Sequence, residues 1–279
     1  MPKIGTVNRR LIVNADDFGA SPSINQAVIR AHREGILTTA SLMVNEPSCA
    51  EAVELARQNP RLGVGLHLTL LMGHSALPHP EIPGLVNERG EFSNDPVGVG
   101  MRYFFRRELR EQLRKEIHAQ FARFRATGLT LDHVNGHLHM HLHPVVFGIL
   151  MQDARPLGIE RMRLTRDPFW TDVPLAGGQR LYRASHALIY SILSRCSRGR
   201  MAKRNIRHTH RVFGLLQNAR VDETYIAKLL PVLPPGDSEL YSHPSLDNFK
   251  HEFEGLISAR VKKQVTDLGI TLIRYQDLG

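Results

Sequence analysis

The sequence predicts an α/β fold with a parallel sheet of about seven strands. Short apolar or β-branched runs alternate with helix-patterned segments along the 279 residues, which is how successive βα units read. Asp16-Asp17, His67, His137 and His243 all fall late in such runs or just after them, at the strand ends where parallel β/α proteins place their sites. A hydrophobic content of 42% suffices for a buried core at this length.

The strands are expected at Leu11–Ala15, Thr38–Val44, Gly63–Thr69, Leu129–Val134, Arg161–Leu164, Glu239–Ser242 and Thr271–Arg274. After the first, Ser21-Pro-Ser23 opens a helix that runs to about Glu34, where Gly35 stops it. Ser48 begins another, closed by Asn59-Pro60. Leu77–Gly100, rich in Pro, Gly and Asn, reads as a long loop over the pocket and part of a substrate cleft. Arg106–Arg125 is a long charged amphipathic helix, and Pro144 suits the first turn of one reaching about Leu157. These helices form the outer layer. No repeat of roughly 20 to 50 residues is visible, so 1–279 is taken as a single catalytic domain.

Charge is distributed unevenly. The net charge is +9, yet Val173–Val221 has no Asp or Glu and ten Lys or Arg. The remainder is close to neutral, and the basic stretch at about 173–221 is read as an insertion. A nucleic-acid binder would use that stretch but leaves Asp16, Asp17 and His67 without a role, so no nucleic-acid partner is expected. Cys49 and Cys196 are too few for a disulfide framework or a thiolate metal site. With no leader-like or spanning apolar run, a cytoplasmic protein is expected.

Chemistry concentrates in three places. His133, His137, His139, His141 and His143 put five histidines into eleven residues, and imidazole is the commonest protein ligand for divalent metals. Asp16 and Asp17 are adjacent on a strand, so their side chains should point apart and do different work. One can bind an ion while the other takes a proton from water that the ion activates; the plainer reading is a helix cap with Asn14 and Gly19 shaping the turn. His67 alone would be a hydrogen-bonded core histidine, and gains meaning from its company. His137, His139, His141 and His143 would share one face if their strand continued, but they cannot all bind one ion; His137, nearest the strand end, is the best ligand. His243 is either a general acid or a helix-start residue before Pro244. Arg163 and Arg166 flank a strand end, where a guanidinium could orient a carboxylate or stabilise developing charge; taken singly, each reads rather as solvated.

The segments LIVNADDFG (Leu11–Gly19), GLHLTL (Gly65–Leu70), DHVNGHLHMHLHP (Asp132–Pro144) and ELYSHP (Glu239–Pro244) resemble the YdjC-like carbohydrate deacetylases. The resemblance implies a distorted (β/α) barrel of the polysaccharide-deacetylase kind and metal-dependent removal of an N-acetyl group from an amino sugar. It implies Asp17, His67 and His137 as metal ligands, Asp16 as catalytic base and His243 as the acid. Zinc suits two histidines and one carboxylate, with magnesium or another divalent ion as the alternative. Where chitooligosaccharide members have three consecutive histidines, this chain has His137-Leu138-His139, and its 173–221 stretch is unusually basic. The chain looks most like the hopanoid-biosynthesis-associated deacetylases, which implies an N-acetylglucosaminyl hopanoid lipid as substrate. Soluble chitooligosaccharides, or another metal-dependent amidohydrolase or phosphoesterase reaction, are the alternatives. The resemblance also suggests a homodimer.

A lipid substrate gives the basic stretch a second reading. Leu181, Ala184, Leu188 and Ile192 recur at helical spacing, widened by Tyr182, Ile189 and Leu193 and followed by arginines. That composition suits peripheral contact with the inner membrane face through 181–211; a core-packed helix followed by a solvated basic loop stands beside it.

Overall fold

The computed structural model describes residues 8–165, 192–217 and 220–279. Seven strands form one sheet: β1 Arg9–Phe18, β2 Thr39–Leu42, β3 Gly63–Leu68, β4 Val134–Gly136, β5 Arg211–Phe213, β6 Gly236–Ser242 and β7 Thr271–Leu272. Every pairing is parallel, in the order β4-β3-β2-β1-β6-β5. β7 pairs with Arg10 and Leu11, on the edge of β1 that β2 takes over from Asn14. Beyond β4, isolated parallel bridges join Val134 to Met162 and Arg161 to Arg207. They carry the wall round to the segment that enters β5, and the sheet is a distorted barrel.

Strand alternation sorts side chains into two environments. Leu11, Val13 and Ala15 of β1, Ala40 and Leu42 of β2, and Val64, Leu66 and Leu68 of β3 join the main apolar core. The alternate positions face inward and are polar near the C-terminal end. There Asn14 donates to Ser41 Oγ at 2.9 Å, and Thr39 Oγ1 donates to Asn14 Oδ1 at 2.7 Å. Lower down, Ile12 packs with Ile273, Tyr275 and Leu278.

The helices follow their sequence signals. α1, Pro22–Glu34, starts on Ser21, whose Oγ accepts the Ile24 N–H, and buries Ala27, Val28, Ile29 and Ala31. α2, Cys49–Arg57, follows Ser48. α3, Pro96–Phe105, is capped by Asp95, which accepts the Gly98 N–H. α4, Leu109–Ala126, buries Leu113, Ile117, Phe121 and Phe124 at three- and four-residue spacing. α5, Pro144–Gln152, has proline in its first turn and is followed by a short helix, Ala154–Leu157.

Several boundaries differ from expectation. β4 starts where the expected Leu129–Val134 strand ends. Arg161–Leu164 contributes two bridges and no strand, while β5 lies unpredicted in the basic stretch, because only Val212 and Phe213 there show strand character. Leu77–Gly100 is no uninterrupted loop: antiparallel bridges link His74 to Glu91 and Val86 to Phe92, and its end belongs to α3. Gly98 and Gly100 hid that helix. The expected amphipathic stripe from Leu181 to Ile189 and Arg166 lie outside the described residues, whereas residues 192–202 are helical. No helix among the described residues is long and apolar enough to cross a membrane.

One glycine is required by close approach. A Cβ on Gly65 would lie 2.5 Å from His133 Cε1 and 2.6 Å from the His133 carbonyl oxygen. That carbonyl cannot retreat, since it accepts the Leu66 N–H at 2.9 Å. Gly65→Ala is therefore expected to destabilise by about 1–3 kcal/mol, read from the urea midpoint. Gly148→Ala, within α5 and with nothing within 4 Å of the added methyl, should instead gain about 0.5–1 kcal/mol.

Candidate metal centre

The end of β1 separates its two carboxylates by breaking the strand. The β1–β2 register shifts between Ala15 and Phe18, and Asp17 adopts φ 63°, a left-handed conformation that Asp tolerates better than most residues. Asn25 of α1 pins the turn by accepting the Gly19 N–H at 2.8 Å. Asp16 keeps the alternation and points inward, while Asp17 is turned toward the strand ends.

Asp17 Oδ1 lies 2.9 Å from His137 Nδ1 and 3.2 Å from His67 Nε2. One donor atom from each of the three residues lies within 4.8 Å of the others. His67 Nδ1–H donates to Asn135 Oδ1 at 2.8 Å, which turns Nε2 to Asp17, where it donates when protonated and offers its lone pair to a cation when not. The Asn135 orientation is itself fixed, because its amide nitrogen donates to Asp16 Oδ1 and Ser41 Oγ. Burial alone would raise the Asp17 pKa, but hydrogen bonds and charge from His137 and His67 hold it well below the usual range. Burial works against the His137 imidazolium, and Asp17 outweighs it and raises the pKa. Two imidazole nitrogens converging on an ionised carboxylate oxygen fit a divalent ion of the zinc type.

Asp16 has a different environment. Arg163 grips it with two bonds, Nη1 to Oδ2 at 2.7 Å and Nη2 to Oδ1 at 2.9 Å. Oδ1 also accepts from Asn14 and Asn135. Burial would raise its pKa, yet the charges of Arg163 and His67 and the Arg163 hydrogen bonds hold it far below the usual carboxylate range. Arg163 continues to Glu239 Oε1 from Nε at 2.9 Å and Nη2 at 2.7 Å, beneath the Tyr241 ring. Tyr275 Oη donates to the other Glu239 oxygen. Of the two readings offered for Arg163, the solvated one gives way to the carboxylate-orienting one, for the side chain is a fully buried tie between two carboxylates. Its alternation with Met162 and Leu164 pointed it inward, but the partners come from distant strands.

The remaining histidines are sorted by their bonds. Ser41 Oγ accepts two amides, so its one proton goes to His133 Nε2 at 2.9 Å, and His133 Nδ1–H donates to Asp132 at 2.9 Å. This Asp–His–Ser row resembles a nucleophilic triad, but all three residues are buried and it serves to hold Asn14 and Asn135. After Gly136 the strand does not continue. Leu138 and His139 both adopt left-handed φ, 46° and 58°, inside a short 3-10 segment, so the four alternate histidines share no face. His139 meets the Tyr241 hydroxyl at 3.1 Å and Thr165 Oγ1 at 3.3 Å. His141 Nε2–H donates to the Arg163 carbonyl at 3.0 Å, with burial and the Arg163 charge pushing its pKa down to about 3. His143 donates to the Gly100 carbonyl at 3.1 Å.

His243 follows β6 and stays partly exposed, edge-on to Tyr241, with Nδ1 4.0 Å from Glu252 Oε2. It stands outside the Asp17–His67–His137 cluster, but its charge reaches Asp16 and His139. Sequence reasoning missed Ser41, Asn135 and Glu239, and it read Asn14 as shaping the turn when it is a buried partner of Asp16, Ser41 and Thr39. For Asn14 and Ser41 the signal was present as polar residues alternating with apolar ones; Glu239 lies in a largely polar strand and Asn135 in one of three residues.

A family model described as YdjC-like protein matches residues 10–267. A carbohydrate deacetylase of Geobacillus stearothermophilus is 41% identical over 167 residues, 60% of this chain and 62% of that protein. A chitooligosaccharide deacetylase of Proteus mirabilis is 36% identical over 162 residues, 54% and 59% of the two chains. The chain thus matches less than two thirds of the length of these relatives. Among solved structures, a proposed cellobiose-phosphate cleavage protein of Enterococcus faecalis V583 aligns with TM-score 0.74 and 24% identity over 96% of this chain and 98% of that one. An uncharacterised protein of Agrobacterium tumefaciens C58 aligns at TM-score 0.54 and 14% identity, over 98% and 89%. Both speak to the fold.

Proposed function

The chain belongs to the YdjC-like family, and from that premise we propose that it is a divalent-metal-dependent N-deacetylase of an N-acetylglucosamine-containing substrate. The observation that carries this reading is the convergence of Asp17, His67 and His137 beside a separate carboxylate, Asp16, that is bonded to arginine. Asp17, His67 and His137 would hold the ion, and zinc suits the donor set. When bound, such an ion polarises an amide carbonyl and makes water a stronger acid.

The chain's own residues supply the proton transfers. Asp16 Oδ1 already accepts from Asn14, Asn135 and Arg163, whereas Oδ2 accepts from Arg163 alone among the described residues. Oδ2 is therefore the atom that takes the proton from the attacking water. Arg163 and the two asparagines keep the carboxylate aimed, and its ionised state needs no high pH. His243, partly exposed and backed by Glu252, gives a proton to the departing amine.

An N-acetylglucosaminyl hopanoid lipid is the proposed substrate, with soluble chitooligosaccharides as the competing one. Mass-spectrometric loss of an acetyl group from glucosaminyl lipids, compared with chitin fragments in the presence of added ions, tests both. Release of phosphate from phosphate esters in place of acetate would reject the deacetylase reading. Asp17→Ala, His67→Ala and His137→Ala are each expected to lower zinc affinity by at least about tenfold, measured by calorimetric titration. An unchanged affinity in His137→Ala would remove it from the ligand set.

A further inference from the structure

α3 leaves an apolar ridge in water. Val97, Met101, Phe104 and Phe105 are 75%, 55%, 48% and 66% exposed, and their spacing places them along one side of the helix. The opposite side is anchored: Val99 and Tyr103 are buried, and Tyr103 Oη donates to the Leu70 carbonyl at 2.8 Å, just past β3. His143 holds the Gly100 carbonyl, and its ring meets the edge of Phe104. The ridge is thereby fixed between the end of β3, which carries His67, and the turn that carries His137. Leu138, the residue after His137, and Met72 are exposed as well.

Arginine clusters at the C-terminal end of this ridge. Between residues 96 and 114 there are five arginines and two glutamates, and Arg106, Arg107 and Arg110 are exposed. Arg107 and Arg110 share with Phe104, Phe105, Val145 and Ile149 the wall of a groove of about 690 Å³. A second copy of the chain is a poor occupant: a two-fold interface sets a patch against its own image, which would bring these arginines together. A soluble polyanion would use the arginines and leave the phenylalanines wet. Aromatic and aliphatic side chains flanked by arginine match the boundary between headgroups and acyl chains of an anionic bilayer.

We propose that α3 is a membrane-seating element. Val97, Met101, Phe104 and Phe105 enter the headgroup–acyl boundary, Arg106, Arg107 and Arg110 meet lipid phosphates, and the opening of the Asp17–His67–His137 site is held at the membrane plane. The ridge is separate in sequence from the 181–211 stretch, and the proposal does not depend on the deacetylase reading, since seating is measured without turnover.

The test is cosedimentation of the full chain with vesicles of phosphatidylcholine and phosphatidylglycerol, against vesicles of phosphatidylcholine alone. Binding to the anionic vesicles that weakens with added salt is expected. Phe104→Ser combined with Phe105→Ser should lower the partition coefficient about tenfold or more, and Arg107→Gln combined with Arg110→Gln about 30-fold. Lys203→Gln combined with Arg204→Gln should leave most binding in place. Unchanged thermal unfolding and zinc titration identify folded variants. Failure of the wild type to sediment with anionic vesicles would overturn the proposal, as would binding that survives the phenylalanine and Arg107/Arg110 changes and is lost with Lys203 and Arg204. A dimer in the ultracentrifuge that only the phenylalanine variant dissociates, with vesicle binding unaltered, would assign the ridge to a second copy instead.

Discussion

Asp16→Asn is expected to reduce deacetylation on the order of 10²- to 10⁴-fold, the range of a lost general base, while zinc binding and fold persist. The reason lies in the charge of the buried cluster. Asp16, Arg163 and Glu239 together carry one negative charge, and removing the Asp16 charge leaves a neutral Arg163–Glu239 pair with its hydrogen bonds of 2.7 and 2.9 Å intact. The amide oxygen at the Oδ1 position can still accept from Arg163 Nη2, Asn14 and Asn135, the amide nitrogen that replaces Oδ2 gives up the Nη1 bond, and Asp17, His67 and His137 are untouched. Single-turnover acetate release together with zinc titration reads both halves. A variant that keeps wild-type turnover removes Asp16 from the reaction, and one that loses zinc makes it a ligand.

Arg163→Leu is expected to have the largest effect on stability. It leaves Asp16 and Glu239, 3% and 0% exposed, without their shared counter-charge, and breaking a buried pair in this way costs about 3–5 kcal/mol. For a chain of this size the melting temperature should fall on the order of 10 °C. The pH dependence should also change sign. In the wild type the folded pKa of Asp16 is depressed, so its contribution is present above the unfolded value of about 3.9 and is lost as pH falls through the folded one. Without Arg163, burial dominates and raises the folded pKa, so stability should fall as pH rises from about 4. Thermal melts of both proteins across the acid range decide it; wild-type melting in the Arg163→Leu variant would show that the tie is dispensable.

The candidate ligand residues were more legible in sequence than the parts that hold them. Asp17, His67 and His137 each have a plainer use when taken alone, but they lie in three short motifs at strand ends and gain their reading from one another. Asp16 and Asp17 were expected to diverge by strand alternation; they do diverge, but through a left-handed Asp17 and a shifted register, which no periodicity reports. The period of two from His137 to His143 would set four histidines on one face only in a continuing strand, and the successive left-handed Leu138 and His139 cancel that period. Arg163 was opaque for another reason: a buried arginine makes sense only when its two carboxylates are known to sit across the barrel, and those pairings span 147 and 76 residues of sequence. α3 was hidden by local composition, and its proline start and Asp95 cap outweigh the two glycines.

The weakly paired part of the barrel wall gives Arg163 a second task. Where β4 passes to β5, two isolated bridges join the backbones among the described residues, and Arg163 reaches from that seam to Asp16 on β1 and Glu239 on β6. The same guanidinium therefore works as a tie rod across the barrel and as the clamp on Asp16. Chemistry and mechanical closure are coupled through it: a substitution that frees Asp16 to titrate also slackens the seam, and amide hydrogen exchange at Val134, Met162 and Arg207 should speed up in step with the loss of turnover.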